Sequence, residues 1–377
     1  MSFVFRLSDF PRVRLGELPT PLEPLPRLTQ ALGGPRLWVK RDDVAGPALG
    51  GNKTRKLEFL FGEALAQRAQ VVATFGGLQS NFARQMCAGA RALGLEPHCF
   101  YFTRRPARLE GNLLLNKLMG AHLHFIPFGE NTRGEPGMTL EQATQMVRWV
   151  VRLTPSCWGK RAYFMPVGGH TAVGCLGYVL AALEIHEQLR ERGVQHATIV
   201  TAAGTGGTLA GLMAGFHVWG IEHSLLAIDV GKLWRAFSAS IAALASEICA
   251  LLGEPHEFRA EAVPLVERTY VGEGYARPTP DCVAAIRLAA QQEGLLLDPV
   301  YTSKAMAGLV DLIQQGRWGA EEHVVFLHTG GLPALWAYEE AFSRLLFAPE
   351  REAIASSPPP TGTRPARHLH ARRGGRG

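Results

Sequence analysis

What most restricts the fold of this chain is a recurring order of short apolar run, glycine-bearing turn and amphipathic stretch. The runs are "RLWVKRDD" (36–43), "QVVATFGG" (70–77), "EPHCFYFT" (96–103), "AHLHFIPFG" (121–129), "ATIVTAAGTGG" (197–207), "SLLAIDVG" (224–231) and "HVVFLHTGG" (323–331). Strands that alternate with helices build parallel sheets covered on both faces, and ligands collect outside the carboxyl ends of such strands. The expected fold class is therefore α/β, with open, mostly parallel sheets flanked by helices. Of 377 residues, 47% are hydrophobic and 19% charged, enough apolar material for roughly two domains.

The turns after these runs carry the chemistry. In "GGNKTRKLE" (50–58) a helix is expected to start at Lys53, which crowds Lys53, Arg55 and Lys56 against the positive end of the helix dipole. Three cations placed there call for an anion, and a lysine beside a phosphate site can carry a cofactor as a Schiff base. "TAAGTGGTLAGL" (201–212) is the strongest phosphate signal. Gly204, Gly206 and Gly207 let backbone N–H groups approach an anion, and Thr205 and Thr208 add hydroxyls. It is neither a Walker A loop nor a dinucleotide fingerprint, and a plain glycine turn that serves packing remains open.

Three further turns stay ambiguous alone. Ser80 and Asn81 in "FGGLQSNFARQ" (75–85) suit either a carboxylate site or an ordinary helix N-cap. Tyr301 in "LLDPVYTSKAM" (296–306) is a site residue or a core tyrosine. Thr329 in "VFLHTGGLPAL" (325–335) edges a cofactor or a connection, and "PVGGHTAVGCLGY" (166–178) adds one more glycine-rich turn. Taken together, one lysine, a glycine–threonine cradle, a Ser-Asn turn and a Thr-Gly-Gly strand end suit pyridoxal 5'-phosphate.

The charge pattern excludes a nucleic-acid function for the body of the chain. Of the net charge of +6, six arginines and one glutamate beyond residue 350 carry +5, leaving residues 1–350 nearly neutral. Duplex binding needs several cations on a folded face. The tail "SSPPPTGTRPARHLHARRGGRG" reads as disordered, and "GENTRGEPGM" (129–138) as a surface loop. Six cysteines lie without CxxC spacing, so no metal site is expected. With no signal-type segment or long apolar run, a cytoplasmic location is expected and no membrane partner.

From "FPRVRLGELPTPLEPLPRL" (10–28) through "HTGGLPALWAY" (328–338), the chain resembles the D-cysteine desulfhydrase / 1-aminocyclopropane-1-carboxylate deaminase family of fold type II pyridoxal phosphate enzymes. Its most specific pieces are "LGGNKTRKLEFL", "GGLQSNFARQ", "DPVYTSKAM" and "HTGGLPAL". The resemblance implies two domains with the cofactor in the cleft between them: residues 1–55 with 165–348, and residues 56–164, followed by a disordered tail over 349–377. It makes Lys53 the Schiff-base lysine, with Asn52 beside it and Lys56 near the phosphate. It assigns Gln79, Ser80 and Asn81 to the substrate carboxylate, Tyr301 to the substrate side chain and Tyr275 to the cofactor ring. A homodimer acting on a small amino acid is implied as well.

Two positions separate branches of that family. The deaminases carry Glu after the tyrosine and Leu before the paired glycines; here Thr302 and Thr329 stand there. A hydroxyl at the pyridine nitrogen makes a weaker electron sink than a carboxylate, which suits loss of thiolate from D-cysteine, giving pyruvate, ammonia and hydrogen sulfide. The cyclopropane deaminase, an L-cysteate sulfo-lyase and a catalytically weak cofactor-binding homologue are the alternatives. Phe82 stands where the family turn has His, and His170 and Thr171 stand where it has Ser-Asn, so substrate preference is the open part. His170 in particular is a candidate acid/base near neutral pH.

Overall fold

A computed structural model describes residues 7–127, 140–267, 269–340 and 342–343; the 129–138 loop and the 349–377 tail lie outside the described residues. All seven apolar runs form strands, and three short ones join them, giving ten strands in two sheets among the described residues. The larger sheet has the order β1 (Leu22–Pro24), β2 (Arg36–Lys40), β10 (His323–Leu327), β7 (Thr198–Ala203), β8 (Ser224–Asp229), β9 (Leu265–Val266). Only β1 runs antiparallel, against β2. The smaller sheet is all parallel, in the order β5 (His122–Phe125), β4 (Glu96–Tyr101), β3 (Val71–Phe75), β6 (Ala162–Phe164).

Both sheets are covered on both faces, which explains why a strand such as "VVATF" is buried throughout rather than alternating. Helices α1 (Pro26–Leu32), α9 (Pro280–Glu293) and α10 (Thr302–Gln314) close one face of the larger sheet with a core that includes Leu28, Ile286 and Met306. Helices α6 (Ala172–Glu191), α7 (Gly207–Trp219) and α8 (Phe237–Leu251) close the other. On the smaller sheet, α2 (Lys53–Ala66), α3 (Asn81–Ala92) and α4 (Gly111–Leu118) pack around Phe61, Met86 and Leu113. Helix α5 (Leu140–Leu153) covers the opposite face through Val147 and Val151.

Helix α2 joins the two sheets. Its apolar residues Leu57, Leu60 and Phe61 enter the core of the smaller sheet. Its first turn crosses α6 so closely that a Cβ at Gly177 would strike the Arg55 carbonyl. In the larger sheet, β8 and β9 extend outward from β7 while β10 returns between β2 and β7. The strand ends of β7 and β10 therefore mark the point where the order reverses, the usual place for a ligand. No helix among the described residues is long and apolar enough to cross a membrane.

Candidate active site

Helix α2 starts at Lys53, as the Gly-Asn-Lys turn predicts, but its three cations part company. Arg55 turns away, holding Asp42 at 2.8 and 2.9 Å and Glu184 at 2.8 Å. Lys53 and Lys56 stay at the strand ends. The Lys53 ammonium donates to Asn52 Oδ1 at 3.0 Å and that of Lys56 to the Gly168 carbonyl at 3.1 Å. Neither forms a carboxylate ion pair among the described residues. Burial, and then the neighbouring Lys56 charge, lowers the Lys53 pKa to about 7; burial also lowers that of Lys56. An amine that loses its proton near neutrality is the nucleophile that carbonyl chemistry needs.

Lys53 and Asn52 line an enclosed cavity of about 210 Å³ between the two sheets. From the β7 turn come Gly204, Thr205, Gly206 and Thr208, and Asn52 Nδ2 ties to Thr208 Oγ1 at 3.1 Å. Gly206 has φ +79° and caps α7, leaving the first N–H groups of that helix free of intrahelical partners. Gly207 does not line the cavity, but a Cβ there would come within 2.7 Å of Lys56 Nζ. Glycine at 207 leaves room for that ammonium beside the cradle. The buried Lys56 ammonium, with no acid partner among the described residues, lies beside a helix N-terminus, and the two together form a donor set for a phosphate.

Ser80 and Asn81 line the same cavity from the smaller sheet. Ser80 also caps α3, its Oγ accepting from Ala83 N at 3.2 Å, so the N-cap reading holds at a residue that faces the cavity. Gln79 points elsewhere: its Oε1 accepts from Asn112 N at 2.8 Å and its Nε2 donates to the Glu110 carbonyl at 3.1 Å. Asn112 in turn donates to Asn81 Oδ1 at 2.8 Å, so Gln79 steadies the turn from outside. Phe82 lines the cavity and packs into the core of the smaller sheet.

Tyr275 and Tyr301 close the cavity, their hydroxyls hydrogen-bonded and their rings edge-on at 5.9 Å. Burial raises both phenol pKa values, and the pairing raises that of Tyr301 further, so both stay protonated near neutrality. Two residues that sequence reasoning passed over position them. Asp298, fully buried, accepts from the Val300 and Tyr301 backbone at 2.9 and 3.0 Å. The buried Lys304 ammonium donates to the Val271 and Gly274 carbonyls at 2.7 and 2.8 Å, fixing the chain just before Tyr275. Both lie inside "DPVYTSKAM", where an acid and a lysine on apolar surroundings were the available signal. Trp234, which donates to the Gly204 carbonyl at 3.2 Å, lines the cavity without a sequence signature.

The two threonines differ. Thr329 lines the cavity, whereas Thr302 is fully buried with its hydroxyl on Asp298 Oδ1 at 2.7 Å. His170 lies beside Lys56 and the cradle, with Nε2 3.5 Å from Ser240 Oγ and Nδ1 unpartnered. Burial, and then Lys56, lowers its pKa to about 3, so it is neutral near pH 7 and not the acid/base expected of it.

A family model described as "Pyridoxal-phosphate dependent enzyme" matches residues 13–330. The chain belongs to the pyridoxal-phosphate dependent enzymes. It is 40% identical over 332 residues to a protein named D-cysteine desulfhydrase from Klebsiella pneumoniae subsp. pneumoniae, covering 88% of this chain and 97% of that one. A crystal structure titled as an ACC deaminase homologue superposes with a TM-score of 0.79 at 35% identity, covering 91% and 99% of the two chains. A fungal L-serine ammonia-lyase from Rhizomucor miehei shares the fold with a TM-score of 0.59 at 20% identity, covering 86% and 97%. The fold is that of the type II pyridoxal phosphate enzymes, and pyridoxal phosphate is the cofactor of this family. The low-pKa lysine, the acid-free cation pair and the glycine cradle fit that group.

Proposed function

We propose that this pyridoxal-phosphate dependent enzyme is a D-cysteine desulfhydrase, eliminating sulfide from D-cysteine and, with one water consumed, releasing pyruvate and ammonia. The observation that carries the reading is 40% identity spread over 97% of a relative so named. The convergence of Lys53, Ser80 and Tyr301 on one cavity supports it. Pyridoxal phosphate, when bound, supplies an electron sink that acidifies the Cα–H of an attached amino acid. Lys53 Nζ is the amine that would anchor the cofactor and, with its pKa lowered by burial, would take the Cα proton, with Ser80 Oγ as the other candidate. Lys56, Asn52, Thr205, Thr208 and the Gly204–Gly207 backbone hold the phosphate. Ser80 and Asn81 orient the substrate carboxylate. The protonated Tyr301 hydroxyl, supported by that of Tyr275, gives a proton to the departing sulfur. Thr329, at the cavity wall, would offer the cofactor a hydroxyl and not a carboxylate.

The same reading divides the chain into a larger domain of residues 1–55 with 165–348 and a smaller one of 56–164, in keeping with the two sheets. It extends to a homodimer in the cytoplasm, checked by light scattering and by cell fractionation. The activity test compares products from four substrates: sulfide from D-cysteine and from L-cysteine, sulfite from L-cysteate, and ammonia from 1-aminocyclopropane-1-carboxylate. D-cysteine is expected to turn over fastest. Faster release from any of the other three overturns the substrate assignment and leaves the cofactor assignment standing.

A further inference from the structure

The smaller sheet carries a second cluster of chemically active side chains, away from the cavity. Strands β4 and β5 pair His98 with His122 in register, and Glu96 lies two residues before His98 on the same face. One ligand atom from each of Glu96, His98 and His122 lies within 4.8 Å of the others, the sole such His/Cys/Asp/Glu group among the described residues. The sequence spacing hides it, because two ligands come from one strand and the third from the next.

His98 is the informative member. It is fully buried, its Nδ1 shares a hydrogen bond with His124 Nε2 at 3.1 Å, and its Nε2 is buried with no partner. An orphaned ring nitrogen in the interior is costly unless something uses it. In the tautomer whose Nδ1 donates to His124 Nε2, that contact acts as an outer support that holds the His98 ring and leaves a lone pair on Nε2. His122 is exposed, with Nε2 4.0 Å from Glu96 Oε2, which leaves an entry path and room for water. Glu96 already holds a cation, since Lys160 Nζ lies 2.7 and 2.9 Å from its two oxygens.

We propose that Glu96, His98 and His122 form a binding site for a divalent transition cation of the zinc type, with water completing its shell. Two imidazoles and a carboxylate are a zinc ligand set; the His98 and His122 rings stack at 4.4 Å, so it is the exposed His122 ring that turns to bring its nitrogen to the ~2.0–2.2 Å that zinc requires. Lys160 competes with the metal for Glu96. Glu96 opens β4, while Phe102 beyond its far end lines the cavity, so the site lies roughly 20 Å along the strand from the reaction at about 3.3 Å per residue. Zinc there serves the smaller sheet and not the chemistry.

The test is zinc titration of the full-length, cofactor-loaded protein against a chromophoric chelator. Wild type is expected to bind one zinc that His122→Gln binds at least about tenfold more weakly, with D-cysteine turnover unchanged. Lys160→Ala is expected to tighten binding severalfold by freeing Glu96. Both substituted residues are at the surface, and thermal midpoints without metal verify that the variants fold. Zinc held equally by wild type and His122→Gln belongs to other groups, such as the buried thiols or His368 and His370 near the C-terminus, and overturns the proposal. Absence of zinc binding, or weaker binding in Lys160→Ala, overturns it too.

Discussion

Helix α2 presents two buried basic clusters that differ in one respect. On one side, Arg55 and Lys40 meet Asp42 and Glu184, with Lys40 Nζ 2.5 Å from Glu184 and the Tyr178 hydroxyl 2.6 Å from Asp42. Two cations face two anions, and every charge has its partner. Burial pushes the Asp42 carboxyl up, but the Arg55 guanidinium outweighs it and the net shift is downward. On the other side, a turn of helix away, Lys53 and Lys56 form no carboxylate ion pair among the described residues, and burial lowers both, with Asp298 only partly offsetting it at Lys53. The two clusters share a helix and nearly share a depth. What separates them is neutrality: the paired cluster is complete within the chain, and the unpaired one is complete only with an anionic ligand.

Substitutions that cross this divide should have opposite consequences. The largest effect belongs to Lys53→Ala, which should lower D-cysteine turnover by about 10⁴-fold and abolish borohydride-trapped cofactor while the protein stays folded. A surviving trapped adduct would move the anchor to another lysine. Arg55→Met should leave turnover per folded molecule largely intact but destabilise the protein by about 3–5 kcal/mol in denaturant titrations, because Asp42 and Glu184 then lose their main partner. An unchanged unfolding midpoint would dissolve the contrast.

Lys56→Met is the mirror experiment. Removing a buried charge with no acid partner should stabilise the cofactor-free protein by about 1 kcal/mol, while weakening retention of the cofactor roughly tenfold. Loss of stability in the cofactor-free state would show that Lys56 has a structural partner after all. A smaller signature is pH-dependent. Lys53 sits near 7 when folded against an ordinary lysine value of 10.5, so between those values the unfolded chain binds the extra proton. Its burial penalty is therefore felt below pH 7 and relieved as pH rises towards 10.5. In the cofactor-free protein, the stability of wild type relative to Lys53→Met should climb across that window. A flat difference would contradict the lowered pKa. The smallest effect is assigned to His170→Ala, which should leave the shape of the rate profile from pH 6 to 9 unchanged, since a ring with a pKa near 3 does not titrate there.

The amino-acid sequence by itself determined the strand–turn–helix order, the start of α2 at Lys53 and the turns that carry Ser80, the glycine cradle and Thr329. These are local properties: apolar runs, glycine at positions of positive φ and capping side chains act over a few residues, so they are legible without the fold. Tertiary structure alone decided which members of those turns meet. Lys53 and Arg55 are two residues apart in equally basic surroundings, yet helical geometry sends them to different clusters. Thr302 follows Tyr301 directly, yet it turns to Asp298 while Tyr301 enters the cavity. His170 looked titratable near neutrality because an exposed imidazole is, and only its packing beside Lys56 moves its titration far below that range. The Glu96, His98 and His122 cluster depends on the register of β4 against β5, a pairing set by packing across the sheet and absent from any linear spacing.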